Sequence, residues 1–342
     1  MNKEKEEVIF IIAAVISLIC SLSVALTYMM FFHRRFFMQI ILMISISDIL
    51  ASIGSSLGLP PDNSPLCPIQ AFMVVVFYKS SWCWCSILTY QLYCVVVYTK
   101  VYLTWPVMHF IGWFIPLLTT LLPLTTNKFG RDDIEDEDIM GWCYYKGNAE
   151  YWDIITFDLL LLSTLICMAF FTIRVYNKMS DFSDNIYGLI SALAYYPLSI
   201  AISWSPTLIL AFLINSSIIP LNNTVRLLYF ICTLLSTQNG TLLAIIFFGK
   251  SPEARIKWYN FIWKKDLILS SSSLLKFDNI NNDHNDDDND QRSDTSFNSI
   301  DSVLYRFSHV GNFNNMLLPF NEQESLINIH SSSNTNEKLE IN

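Results

Sequence analysis

The sequence predicts an all-α membrane protein: a bundle of seven transmembrane helices, then a short amphipathic interfacial helix and a disordered C-terminal tail. Three observations predict it. Apolar residues make up 52% of the 342-residue chain against 15% charged, and the mean hydropathy is +0.37. The charges are pushed into short gaps between seven stretches, each long enough for a hydrocarbon core that takes about 20 helical residues to cross. Those stretches are apolar on every face, as in Val8 to Thr27. They lack the roughly ten-residue alternation of a membrane barrel, so each must satisfy its backbone internally, as a helix.

The spans are expected at 8–32, 38–59, 69–97, 107–124, 151–176, 186–214 and 224–248. The first is too long for a signal-peptide core and no small-residue cleavage site follows it, so it is read as retained. Residues 1–7 form a short outer N-terminus, which leaves a ligand site only in the 8–249 bundle or its outer loops. The longest outer loop, near 125–150, carries Asp132, Asp133, Glu135, Asp136, Glu137 and Asp138. It is either a solvated acidic loop or a cation-attracting vestibule.

After the seventh span, Ser251-Pro252-Glu253-Ala254 reads as a helix start, with Ser as N-cap, Pro at the first position and an acid in the first turn. Ala254, Trp258, Phe261 and Ile262 then form an apolar stripe, and Arg255, Lys257, Asn260 and Lys264 lie mostly elsewhere. The helix at 250–265 therefore suits the inner membrane surface, against lipid. From 266 onward, Ser, Asn and Asp runs are too polar to offset the entropy of ordering. Counted from residue 267, the tail holds 12 Asp or Glu against 4 Lys or Arg, nearly all of the net charge of −9. Such a tail repels nucleic acid; its Ser and Thr are candidate kinase sites.

Orientation follows the Lys and Arg of the short loops. With the N-terminus outside, the inner face collects Arg34, Arg35, Lys100, Arg174, Lys178, Lys250, Arg255, Lys257, Lys264 and Lys265. The outer face holds Lys3, Lys5, Lys128, Arg131 and Lys146, with Arg226 at the boundary. The tail is thus expected in the cytoplasm.

Of eight cysteines, six fall inside spans as small apolar side chains. Cys67, at the outer end of span three, and Cys143, in the acidic loop, remain on the oxidising face, and a disulfide between them is expected. Cys83 and Cys85, two apart on one helix, point in different directions and make a poor metal pair, so no metal or other cofactor is expected. His33 and His109 have no nucleophile or metal partner by spacing, so catalysis is not indicated either.

Ionisable residues at membrane depth are functional candidates, because an unpaired charge there is expensive. Asp48 and Asn239 lie about ten residues from the inner ends of spans two and seven, near one depth, and can share a polar network. Lys79 and Asp158, below the outer ends of spans three and five, can meet at the floor of an outer cavity. Two roles stay open for them: a buried ion pair that fixes helix register, or ligand contacts. Asp153, nearer the surface, reads as interfacial. Span six carries Pro197 and Pro206; each removes a backbone hydrogen bond, which makes this the span best able to swing. Trp204 beside the outer proline either registers the cavity's contents or packs on lipid.

Several of these residues recur together in one family. Ser47-Asp48-Ile49-Leu50-Ala51-Ser52, Cys67, Trp84, Tyr93 and Gly112-Trp113-Phe114-Ile115-Pro116-Leu117 come first, followed by Gly141-Trp142-Cys143-Tyr144, Tyr196-Pro197-Leu198, Trp204 and Gln238-Asn239-Gly240. With these, residues 8 to about 260 resemble the cyclic-AMP-receptor-like seven-helix receptors, the group of slime-mould cyclic AMP receptors and related orphan receptors. The resemblance implies a G-protein-coupled receptor of the plasma membrane. An extracellular small molecule would bind near Lys79, Asp158 and Trp204. Asp48, Asn239, Pro197, Trp204 and Pro206 would form the conformational switch, and Arg34, Arg35, Lys100, Arg174 and Lys178 would rim a groove for a heterotrimeric G protein. Kinases and arrestin-like proteins would act at the tail. The inner loops and the acidic outer loop depart from the family's cyclic AMP sensors, and an anionic ligand would need Lys79 or Arg226 unpaired.

Two other readings compete. A retinal-binding rhodopsin needs a Schiff-base Lys in the last span, and 224–248 holds none. A small-solute transporter usually shows internal repeats with matching broken helices, and no self-similar halves are found.

Overall fold

A computed structural model gives the structure of the chain and describes residues 3–32, 35–61, 64–98, 100–130, 143–145, 150–179, 184–216, 218–220 and 222–263. Arg34, His33, the acidic run from Asp132 to Asp138, Arg131, Lys146, Lys264, Lys265 and the tail lie outside the described residues.

The helices are α1 (Lys3–Phe31), α2 (Phe36–Ser56) and α3 (Leu66–Tyr98). α4 runs as Trp105–His109, a π turn at Phe110–Phe114, and Ile115–Thr125. A two-residue hairpin, β1 (Phe129–Gly130) with β2 (Tyr144–Tyr145), leads to α5, itself Glu150–Asp153, a π turn at Ile154–Asp158, and Leu159–Met179. α6 (Asp184–Asn215), α7 (Asn223–Thr237), α8 (Asn239–Lys250) and α9 (Pro252–Trp263) follow. Among the described residues, six helices are long and apolar enough to cross a membrane, and the number is seven when α7 and α8, bent by 48°, count as one broken span. The chain is a multi-pass helical membrane protein.

The seventh span differs from the single helix expected at 224–248. Its break falls at Gln238, whose side-chain amide donates to the Ala13 carbonyl of α1 at 2.7 Å, where polar residues bond across the bundle. α1 also begins earlier than expected, at Lys3, with Glu4 and Glu6 in its first turn, where acids suit the positive end of the helix dipole. Glu7 then accepts from the Leu59 amide at 2.9 Å, which fastens this added turn to the end of α2.

α3 is the axis of the bundle and packs on α2, α4, α5 and α6. Its polar Gln70, Lys79, Ser80, Ser81 and Gln91 are buried, whereas Ile12 and Ile19 of α1, Ile166 and Ile173 of α5 and Ile209 and Phe212 of α6 are exposed. That pattern fits a chain whose solvent is hydrocarbon: apolar side chains face outward and polar groups are satisfied against other helices. Two glycines set the closest approaches. A Cβ on Gly112 would run into the Trp84 ring of α3, and one on Gly240 into the Ser21 hydroxyl of α1.

α9 follows the expected start, with the Ser251 hydroxyl accepting from the Ala254 amide at 3.3 Å. It docks on the end of α1: Trp258 Nε1 donates to Thr27 Oγ1 at 2.7 Å and Lys257 Nζ to the Phe31 carbonyl at 3.3 Å. Tyr259, Phe261, Ile262 and Trp263 remain exposed.

Candidate functional site

At the end of the bundle expected to face outward, a cavity opens between α3, α5, α6, α7 and β2. Its walls include Tyr78, Tyr144, Asp153, Phe157, Asp158, Trp204, Thr207 and Tyr229. Free space of about 30 Å³ admits water, whereas sites for drug-sized molecules measure roughly 300 Å³ or more. A ligand must therefore part the side chains that fill it. The floor is aromatic: the Trp204 ring meets Tyr78 at 4.8 Å, Trp82 at 4.7 Å and Phe157 at 5.9 Å, all edge to face. Trp204 is only 3% exposed, which removes the lipid-packing alternative.

The π turn in α5 explains how two acids reach one wall. Its Leu159 amide bonds back to the Ile154 carbonyl, an i to i+5 pattern that stacks residues five apart. Asp153 and Asp158 consequently both line the cavity, where an α-helical phase would have separated them. Asp153, read from sequence as interfacial, thus joins the site. Its Oδ1 accepts from the Tyr144 hydroxyl at 2.7 Å. Burial first, and then the Asp153 carboxylate, raise the Tyr144 phenol well above its ordinary range, so it stays a donor.

Lys79 and Asp158 are not paired. The Lys79 side chain is 0% exposed, and its Nζ donates to Thr120 Oγ1 of α4 at 3.1 Å. Asp153 is the carboxylate whose charge acts on it. Lys79 stands behind the wall and does not line the cavity; neither does Arg226.

The hairpin is fixed over the mouth by the expected disulfide, Cys67–Cys143, with Cα atoms 5.4 Å apart. Gln70, which sequence reading passed over, clamps the same corner. Its Oε1 accepts from the Cys143 amide at 3.1 Å, and its Nε2 donates to the Gly54 and Gly58 carbonyls at 3.0 and 2.7 Å. On the hairpin's other side, the Tyr145 hydroxyl meets Thr156 Oγ1 at 2.8 Å.

Below the aromatic floor, Asp48 and Asn239 meet as their depth implies. Asn239 Nδ2 donates to Asp48 Oδ1 at 3.0 Å and to Ser81 Oγ at 3.4 Å. Its Oδ1 accepts from Ser203, the neighbour of Trp204, at 3.4 Å. One amide joins spans two, three, six and seven. α6 stays helical through Pro197 and Pro206, and beside Pro197 the Tyr195 ring carries Lys250 Nζ at 4.3 Å, which ties α6 to the end of α8.

At the opposite end, expected to face inward, Tyr93, Val97, Arg174, Asn177 and Lys178 line a second cavity of about 280 Å³. Lys100 is exposed but not part of that lining. Arg35 departs from the expected rim: it is drawn into a two-bond ion pair with Glu253 of α9, at 2.7 and 3.0 Å, because that acid lies within its reach and is shared with Lys257 at 2.9 Å.

No family model matches the chain. Cyclic AMP receptor-like protein A of Dictyostelium discoideum is 25% identical over 179 residues, which are 52% of this chain and 46% of that protein. The match thus spans about half the length of the curated relative. The crystal structure of squid rhodopsin superposes with a TM-score of 0.61 over 77% of this chain and 87% of that one, at 13% identity. The second likeness concerns the fold alone, which is that of rhodopsin; the first agrees with the resemblance carried by the motifs.

Proposed function

We propose that this chain is a G-protein-coupled receptor: it takes an extracellular small ligand in the outer cavity and activates a heterotrimeric G protein at the inner one. The observation that carries the reading is a hydrogen-bonded path that leads from the floor of the outer cavity into the middle of the bundle. Trp204 forms part of the cavity floor, Ser203 beside it hydrogen-bonds Asn239, and Asn239 holds Asp48 and Ser81. A ligand that fits better when the aromatic floor is parted shifts the population toward that arrangement, and α6, weakened at Pro197 and Pro206, is the element able to follow. Arg174 and Lys178 then present a basic rim to the G protein. The relative's name supports a receptor, as does the rhodopsin fold. The N-terminus faces outward, the tail is cytoplasmic and the membrane is the plasma membrane. Kinases and arrestin-like proteins act on the tail, and α9 lies on lipid through Tyr259, Phe261, Ile262 and Trp263.

The test is expression with a panel of G-protein activation sensors, screened against small metabolites. A ligand-dependent signal that Asn239→Ala abolishes while surface expression persists supports the reading. Solute uptake by proteoliposomes holding only this chain, with no G-protein signal, would favour the transporter instead.

A further inference from the structure

Resting on the reading of the outer cavity as a ligand site, we propose that its ligand is a small protonated amine with a hydrophobic body, held by the Asp158 carboxylate. The acidic and basic side chains that line the cavity are of one sign. Two carboxylates, Asp153 and Asp158, line the cavity, and no Lys, Arg or His among the described residues does. The two acids are not equivalent. Asp153 accepts the Tyr144 hydroxyl at 2.7 Å and feels the charge of Lys79 from behind the wall. Asp158 feels Asp153 as a like charge and has neither a hydrogen-bond nor an ion-pair partner among the described residues. A cationic centre on the occupant would supply the partner that the Asp158 carboxyl lacks.

An independent observation marks the same space as a binding site. Thr207 and Trp204 line the cavity and are 7% and 3% exposed, and Thr207 Oγ1 and Trp204 Nε1 have no hydrogen-bond partner among the described residues. A buried donor without a partner is costly, and the cavity's other hydroxyls show the ordinary solution: Thr233 bonds back to the Tyr229 carbonyl at 2.8 Å and Ser236 to the Thr233 carbonyl at 2.8 Å. Thr207 makes no such bond, so its hydroxyl and the indole N–H are available to a polar atom on the ligand. Tyr78, Phe157, Trp204 and Tyr229 supply aromatic surface for an apolar body and for the cation itself. An anion finds the reverse, since Lys79 is 0% exposed and committed to Thr120.

The experiment uses the full chain in nanodiscs and matched trios that share a body and differ in charge. These are tyramine, 4-hydroxyphenylethanol and 4-hydroxyphenylacetate, and tryptamine, tryptophol and indole-3-acetate, each at up to millimolar concentration, with thermal stability as readout. The expected result is that an amine raises the melting temperature and its alcohol and carboxylate partners do not. Asp158→Asn, which keeps shape and removes charge, should weaken that amine about tenfold or more. Stabilisation by a carboxylate, no stabilisation by either amine, or amine binding unchanged in Asp158→Asn overturns the proposal. The comparison within each trio needs no variant, so a misfolded Asp158→Asn does not decide it. Amine binding with no nucleotide exchange in any G protein would remove the receptor reading and leave this one standing. Signalling to an anion would do the opposite.

Discussion

At the scale of single residues, Cys143 does two things at once. Its sulfur is bridged to Cys67 across 76 positions, and its amide is held by Gln70. A loop of that length is worth up to about 4 to 5 kcal/mol in the chain-entropy account. Less applies where membrane insertion already restrains the helices. Cys143→Ser should lower surface expression and ligand response together, and a free thiol at Cys67 by mass spectrometry would refute the bridge. This pair was legible in the sequence because six of the eight cysteines fall within apolar spans. The walls of the cavity were legible only in part. Asp158 and Trp204 stood out as a charge at membrane depth and a bulky ring beside a proline. Asp153, Tyr144 and Thr207 did not, because reaching the cavity depends on a π turn, a hairpin and an unmade backbone bond that residue spacing does not encode. Lys79 stood out for its charge, yet its side chain turned toward Thr120 of α4, a partner that depth alone cannot select.

At the scale of elements, helix existence followed from apolar length, whereas internal irregularities did not. The break between α7 and α8 comes from side-chain bonds of Gln238 and Asn239 to other spans, information that lies outside the local sequence. Gly112 and Gly240 are similarly silent until α4 meets Trp84 and α8 meets α1. Replacing Gly240 by Val should cost roughly 1–3 kcal/mol, the usual range for overpacking, and should lower thermal stability in detergent; an unchanged melting temperature would mean that α1 and α8 can separate at no cost. Pro197→Ala restores a hydrogen-bonding N–H to α6. It should leave ligand binding intact and reduce G-protein activation, measurable by comparing ligand affinity with nucleotide exchange.

For the molecule as a whole, the two ends of the bundle are fastened differently. The inner end relies on charge: Arg35 and Lys257 share Glu253, with side chains 38%, 36% and 25% exposed. Burial alone would raise the Glu253 carboxyl, but the hydrogen bonds from Lys257 and Arg35 outweigh it and hold its pKa below the ordinary value. A depressed folded-state pKa contributes stability that is present above the unfolded value and is lost as pH falls through the folded one. A fluorophore on Ile262→Cys should therefore report release of α9 on acidification below the usual glutamate range, and Glu253→Gln should weaken docking at neutral pH by at most about 1 kcal/mol, as for exposed pairs. The outer end is fastened by a covalent bridge and by the Tyr144 hydroxyl closing on Asp153. In the proposed receptor a ligand beneath leaves only as fast as that closure yields, so Tyr144 should govern residence time before affinity. On that proposal, a cell carrying this protein would go on answering a brief pulse after the stimulus had gone, and Tyr144→Phe would shorten that memory.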